Sequence, residues 1–185
     1  MTQRLTQVEN ANATGKVKEI FDATNAKIKM IPNLYRVFAT SPKALEGYIS
    51  LNTALAGDSL PAPLREQLAI TTAETNGCDY CLSAHTTIGK IVGLDAAELE
   101  KAQSGKSADS KTEAALMFAR KVVQARGHVA DSDLAAVKAA GYSDAQIVEI
   151  VSHVALNTLT NYLNNVAQTT IDFPVVSFIN KKSAA

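Results

Sequence analysis

The sequence predicts an all-α, compact multi-helix domain, and three observations carry that prediction. Apolar residues recur three and four positions apart along most of the chain, as in Val17, Ile20 and Phe21 or Ile147, Ile150, Val151 and Val154. Helix-starting pairs such as Ser41-Pro42 and stops such as Gly93 and Gly141 bracket these runs. Strand signals are few, and no βαβ pattern flanks the cysteines, which argues against a thioredoxin-type fold.

Residues 1–13 read as an N-terminal arm. Thr14 suits the cap of a helix from Gly15 to about Lys29, with Val17, Ile20, Phe21 and Thr24 along one side. A short helix through Leu34, Val37 and Phe38 follows Pro32. Ser41-Pro42 starts a helix to about Ala56 with Leu45, Tyr48, Ile49 and Leu55 as its apolar positions, and Gly57-Asp58-Ser59 ends it. Pro61 and Pro63 open a helix through Glu66 to Gly77, and the next one runs from about Asp79 to Val92, stopped by Gly93.

Asp95 caps a short helix to about Gln103, and Ser104 to Ser110 is a polar connector too short to divide the chain. A helix from about Lys111 to Arg126 carries Ala115, Leu116, Phe118, Ala119, Val122 and Val123. Asp131 caps a smaller one containing Leu134 and Val137, which Gly141 ends. The last long helix runs from Ser143 to about Thr169, with Ile147, Ile150, Val151, Val154, Leu159 and Val166 as its apolar positions. Residues 14–171 thus form one helical domain, and 172–185 a tail. The tail's Phe173-Pro-Val-Val-Ser-Phe-Ile179 run is expected to dock, in the first place on its own subunit and otherwise on a neighbour.

The chain has 185 residues, 46% of them hydrophobic, which suffices for a sizeable core in a single domain. Eighteen basic and eighteen acidic residues balance, so no basic field points to nucleic acid or to anionic lipid. Met1 to Lys16 is polar and lacks a signal-peptide run, and no stretch reaches the roughly 18 apolar residues of a membrane span. A cytoplasmic location is the expectation. In that compartment two cysteines are more readily catalytic than structural.

Those two cysteines, with one of the three histidines, lie in Gly77-Cys78-Asp-Tyr-Cys81-Leu-Ser-Ala-His85. Gly77 suits the left-handed residue that ends a helix, so Cys78 falls at or just before the start of the next. At about 100° per residue, positions 78, 81 and 85 lie within roughly 60° of one another on that helix. The positive end of the helix dipole favours a thiolate, and His85, one turn beyond Cys81, can take its proton. A thiolate opens a peroxide O–O bond to give a sulfenic acid, and a neighbouring thiol condenses with it to a disulfide. Glu66, on the preceding helix with Ala69, Ile70, Ala73 and Gly77 along its face, is either a carboxylate at a helix edge or one held to orient an imidazole.

Glu66, eleven intervening residues, Cys78-Asp-Tyr-Cys81, three residues and His85 together resemble the core of the alkylhydroperoxidase D-like family of the carboxymuconolactone decarboxylase superfamily. The resemblance implies Cys81 as the thiol that attacks a hydroperoxide, Cys78 as its resolving partner, and His85 with Glu66 as a proton relay. It also implies a thiol or dithiol reductant of lipoyl or thioredoxin type, no cofactor, and a homo-oligomer, trimer or hexamer. Some family members have histidine where this chain has Tyr80, whose phenol is a possible accessory donor. By position, Cys81 is expected to be buried and Cys78 to lie at the solvent-accessible start of the helix, although the dipole acts more strongly on Cys78.

Other readings of the same residues are a zinc site built from Cys78, Cys81, His85 and Glu66, a disulfide reductase, and a decarboxylase-like or non-catalytic relative. In the last helix His153, Asn157, Asn161 and Asn164 form a polar stripe. A buried hydrogen-bonded network or a wet subunit contact is its first reading, and a wall near the cysteines its second. His128 is expected to be exposed.

Overall fold

The computed structural model describes residues 2–57 and 59–179, and the sequence readings that fall on Met1, Asp58 and residues 180–185 lie outside them. Among the described residues there are nine α-helices and no strand. They are α1 (Gly15–Ile28), α2 (Asn33–Phe38), α3 (Pro42–Ala54), α4 (Ala62–Asn76), α5 (Asp79–Ile91), α6 (Ala96–Gln103), α7 (Ser110–Gln124), α8 (Asp131–Ala139) and α9 (Asp144–Ala167). The all-α expectation holds, with boundaries within a few residues of those read from caps and stops.

The caps explain most boundaries. Ser41 accepts from the Ala44 N–H, Asp95 from Glu98 and Asp109 from Thr112, each satisfying an unpaired first-turn donor. Ser143 and Gln146 bond each other's backbone N–H reciprocally at the start of α9. Two expected caps differ. Thr14 occupies the cap position of α1 without a side-chain bond. Asp131 is the first residue of α8 rather than its cap, so its side chain is one position late, and the Asp133 carboxylate reaches back to the Ala130 N–H instead, at 3.2 Å.

The fold is built around α4, which packs against α5, α6, α7 and α9. Gln67 to Ala73 are buried without interruption, so this helix has no solvent face through its middle. A helix enclosed on all sides can still carry hydroxyls when each returns its proton to backbone. Thr72 donates to Leu68 O, Thr75 to Thr71 O, and Thr71 to Ala102 O across to α6. Gly89 of α5 lies so close to α6 that an added Cβ would meet Leu99 Cδ2 at 2.6 Å.

The termini close the molecule. The arm hydrogen-bonds to the end of α9 through Arg4 N–H to Ala167 O and to α2 through Val8 N–H to Arg36 O, and Ala13 is buried. In the tail, Asp172 caps α2 by accepting from the Asn33 N–H at 2.8 Å, and Val176 N–H donates to Ser83 Oγ. Phe173, Val176 and Phe178 pack against the core of the same subunit, while Val175 and Ile179 stay exposed.

The outer side of α9 departs from expectation. Val151, Leu159 and Val166, expected among its core positions, are exposed together with Val148, Ala155 and Tyr162. Their spacings of three, four, four, three and four make one continuous apolar row opposite the inward row of Ile147, Ile150, Val154, Asn157, Asn161 and Asn164. Apolar residues on both sides of a helix leave periodicity unable to choose the buried one.

Two predictions follow from this packing. Tyr80 is buried, and its hydroxyl accepts from the Leu34 N–H at 3.1 Å and donates to Asp172 at 2.7 Å. Tyr80→Phe leaves the Leu34 N–H unmet and Asp172 with only its Asn33 donor, and is expected to destabilise the fold by about 1–3 kcal/mol in urea unfolding; a change within error would contradict this linkage. His153 is 6% exposed. Burial, and then the charge of Arg65, push its pKa down, while the Leu55 carbonyl, Glu149 and Glu66 act the other way. A depressed folded pKa means that its contribution is whole above the unfolded value of about 6.5 and is lost as pH falls toward the folded value. His153→Gln should therefore flatten the loss of stability on acidification below about pH 6.5 in urea titrations, and an unaltered acid slope would count against it.

Candidate functional site

Gly77 ends α4 in the left-handed conformation, with φ of 66°. A residue with a Cβ strains at such an angle, which is why glycine stands there. The chain reverses at once, so that Cys78 is the N-cap of α5 and its Sγ accepts from the Cys81 N–H at 3.2 Å. A sulfur thus occupies the capping place that a hydroxyl or carboxylate takes elsewhere. Cys78 and Cys81 are joined in a disulfide with their Cα atoms 5.4 Å apart.

Both cysteines are buried, Cys78 completely and Cys81 to 3% exposure. This corrects the expectation of an accessible Cys78. Its backbone N–H is held by Ala73 O at 2.9 Å and its side chain turns inward to cap α5, so the helix start is closed.

Glu66 and His85 meet across α4 and α5, with Glu66 Oε2 and His85 Nδ1 2.7 Å apart. Both side chains are partly exposed, 18% and 25%. If the carboxylate accepts from Nδ1–H, neutral His85 presents Nε2 as its basic nitrogen, one turn from Cys81 on the same helix face. That arrangement can hold a proton and pass it.

Tyr80 lies between the cysteines in sequence but not in chemistry. Burial pushes the pKa of its phenol up, and the hydroxyl is committed to Leu34 and Asp172. Its ring packs edge-on against Phe173 at 5.8 Å. The geometry makes it an anchor for the tail, and an accessory relay role finds no support in its contacts.

The polar stripe of α9 divides. Asn161 accepts from the Asn76 amide at 3.0 Å, and Asn157 donates to His153 O at 2.8 Å, while Asn161 Nδ2 and His153 Nε2 have no hydrogen-bond partner among the described residues. Asn164 instead donates to Cys81 Sγ at 3.2 Å. The second reading of the stripe, a wall near the cysteines, therefore applies at this end. His128 is exposed, as expected. The spacing of Asn157, Asn161 and Asn164 signals a polar face, but nothing local signals that its last member reaches a sulfur 83 residues earlier.

The zinc alternative finds no geometry here. Among the described residues no group of three or more His, Cys, Asp and Glu is arranged to hold a metal ion. Both thiols are consumed in the disulfide, and the imidazole faces the carboxylate. No helix among the described residues is long and apolar enough to cross a membrane.

Residues 42–125, which span α3 to α7 and include Glu66, Cys78, Cys81 and His85, match the carboxymuconolactone decarboxylase family. No curated protein sequence matches the chain. Among solved structures, a peroxidase-related protein from Ralstonia eutropha with an alkylhydroperoxidase AhpD core superposes with a TM-score of 0.84 at 23% identity, covering 92% of each chain. A peroxidase-related protein from Silicibacter sp. gives 0.79 at 20% identity over 91% of this chain and 92% of its own. The debrominase Bmp8, solved with 2,3,4-tribromopyrrole, gives 0.79 at 18% identity over 93% of both. At such identities these structures establish the fold. The chain thus has an alkylhydroperoxidase D-like fold, with residues 42–125 similar to the carboxymuconolactone decarboxylase family, in line with the resemblance of its cysteine motif.

Proposed function

We propose that this protein is a thiol-dependent peroxidase, with Cys81 as the attacking thiol, Cys78 as the resolving thiol and His85 with Glu66 as the proton relay. The observation that carries this reading is the bonded Cys78–Cys81 pair at the start of α5 with the His85–Glu66 contact one turn beyond it. Two solved structures described as peroxidase-related share the fold and support the choice of substrate class.

In the reduced protein, His85 takes the Cys81 proton, and the Asn164 amide, already directed at Sγ, stabilises the thiolate. The sulfur attacks the terminal hydroperoxide oxygen, the O–O bond breaks, and the leaving alkoxide takes the proton from His85 as alcohol. Cys78 then attacks the Cys81 sulfenic sulfur, water departs, and the disulfide forms. A thiol or dithiol donor restores both thiols. A debrominase shares the fold, and a second use of the pair would be debromination: Cys81 Sγ takes the bromine as the C–Br bond breaks, the carbon takes the proton held by His85, and Cys78 displaces bromide as the disulfide forms.

The test is free-thiol counting on the reduced protein. Mild hydroperoxide should remove both thiols within seconds to minutes while the fold persists, and two thiols still titratable afterwards would refute the reading. Cys78→Ser should yield a Cys81 sulfenate that a selective reagent traps, whereas Cys81→Ser should be inert; faster sulfenate formation in Cys81→Ser would reverse the assignment. His85→Ala should slow oxidation near neutral pH by about a hundredfold.

We also propose that the protein self-associates through the outer side of α9. A row of six apolar residues in contact with water is costly on a monomer and self-complementary when two such helices meet. Light scattering should show an oligomer, and Tyr162→Glu with Val166→Glu should reduce it to a smaller species; a native chain that is monomeric at micromolar concentration would exclude this surface.

A further inference from the structure

Beside the disulfide lies a cavity of about 1170 Å³, walled by the end of α4, the start of α5, α7, the end of α9 and the tail. Gly77 and Asp79, on either side of Cys78, form part of its lining. So does Asn164, the residue that donates to Cys81 Sγ. The cavity therefore backs directly onto the redox pair.

Three residues of this lining each carry a buried atom with no hydrogen-bond partner among the described residues: Gln103 Oε1, Asn164 Oδ1 and Thr169 Oγ1. These residues are 7%, 3% and 6% exposed. Buried acceptors of this kind cost stability unless N–H or O–H groups meet them. Arg120, braced by a 2.8 Å bond to Ser104 O, and Arg126 bring guanidinium groups to the same cavity, and Glu74 and Asp79 bring carboxylates. The lining thus asks for a ligand with donor groups, carboxylates for the arginines and an ammonium for the aspartate.

We propose that the cavity binds a small zwitterionic peptide thiol, carrying amide N–H groups and carboxylates, and that this molecule is the electron donor to the disulfide. The inference rests on the thiol-redox reading above and gives that site its reductant. The donor thiolate forms a bond to Cys78 Sγ while the Cys78–Cys81 bond breaks and the electron pair leaves on Cys81 Sγ. The Asn164 N–H already points at that sulfur and stabilises it as the leaving thiolate. A second donor thiolate attacks the donor sulfur of the mixed disulfide and releases Cys78. Two donor thiols become one donor disulfide, and their two protons end on the two cysteines.

Neither cysteine lines the cavity and both are buried, so exchange requires the donor to be held in the cavity while the backbone between Gly77 and Asp79 gives way to expose Cys78 Sγ, and the rate saturates with donor concentration. The test uses the full oxidised chain, glutathione as the probe and S-methylglutathione as a competitor that cannot react. Reduction should saturate with glutathione and be inhibited competitively by S-methylglutathione. The ratio of the glutathione rate to the dithiothreitol rate should fall about tenfold in Gln103→Leu and, separately, in Arg126→Gln. The second variant alters an exposed side chain and guards against a folding defect in the first. A rate linear in glutathione and indifferent to the competitor, or an unchanged ratio in Arg126→Gln, overturns the proposal. Reoxidation by hydroperoxide is scored separately: if glutathione saturates but hydroperoxide fails to restore the disulfide, the peroxidase reading falls and the donor site stands.

Discussion

The site depends on the reversal of the chain at Gly77. Glu66 stands eleven residues before that glycine and His85 eight after it, so at about 1.5 Å per residue the two lie some 16 and 12 Å from the turn. On antiparallel helices this places them within about one helical turn of the same level, and the side chains close the remainder to 2.7 Å. The same reversal makes Cys78 the cap of α5. A single left-handed residue thereby sets both the cysteine pair and the Glu66–His85 contact, and a side chain at that position would strain the backbone on which both rest.

The surroundings of α4 follow from the need to hold that turn still. With α5, α6, α7 and α9 packed around it, α4 cannot rotate without breaking a buried contact on some side. Its threonines, bonded to backbone, add polar atoms to this interior without leaving their hydroxyls unmet. Glu66 sits where that enclosed helix reaches its edge, which lets one carboxylate remain partly wet while it faces an imidazole. The Glu66–His85 contact and the core are consequences of one helix being buried in its middle and open near its start.

The disulfide is enclosed as well. Asn164 closes it from α9, and Tyr80, tied to Asp172, binds the tail to the first turn of α5 and to α2. The matching family segment ends at residue 125, so the wall supplied by α9 and the tail lies outside it. Access to the sulfurs is therefore shaped by parts of the chain that the shared motif does not contain.

Local patterns settled much of this molecule. Cap residues and glycines gave helix boundaries, because a capping bond is made within three or four residues of chain. The spacing from Glu66 through Cys78 and Cys81 to His85 placed these four residues near one another for the same reason, since helical geometry converts sequence distance into space. Tertiary structure decided what lies between elements. Val151, Leu159 and Val166 proved to face outward because α9 is apolar on two sides and only its neighbours choose between them. Cys78 proved closed to solvent because its sulfur turned inward to cap α5, an outcome the motif leaves open. Tyr80 was drawn to a residue 92 positions later and Asn164 to a sulfur 83 positions earlier. Such pairings join segments whose proximity is a property of the folded core, and no local propensity records it.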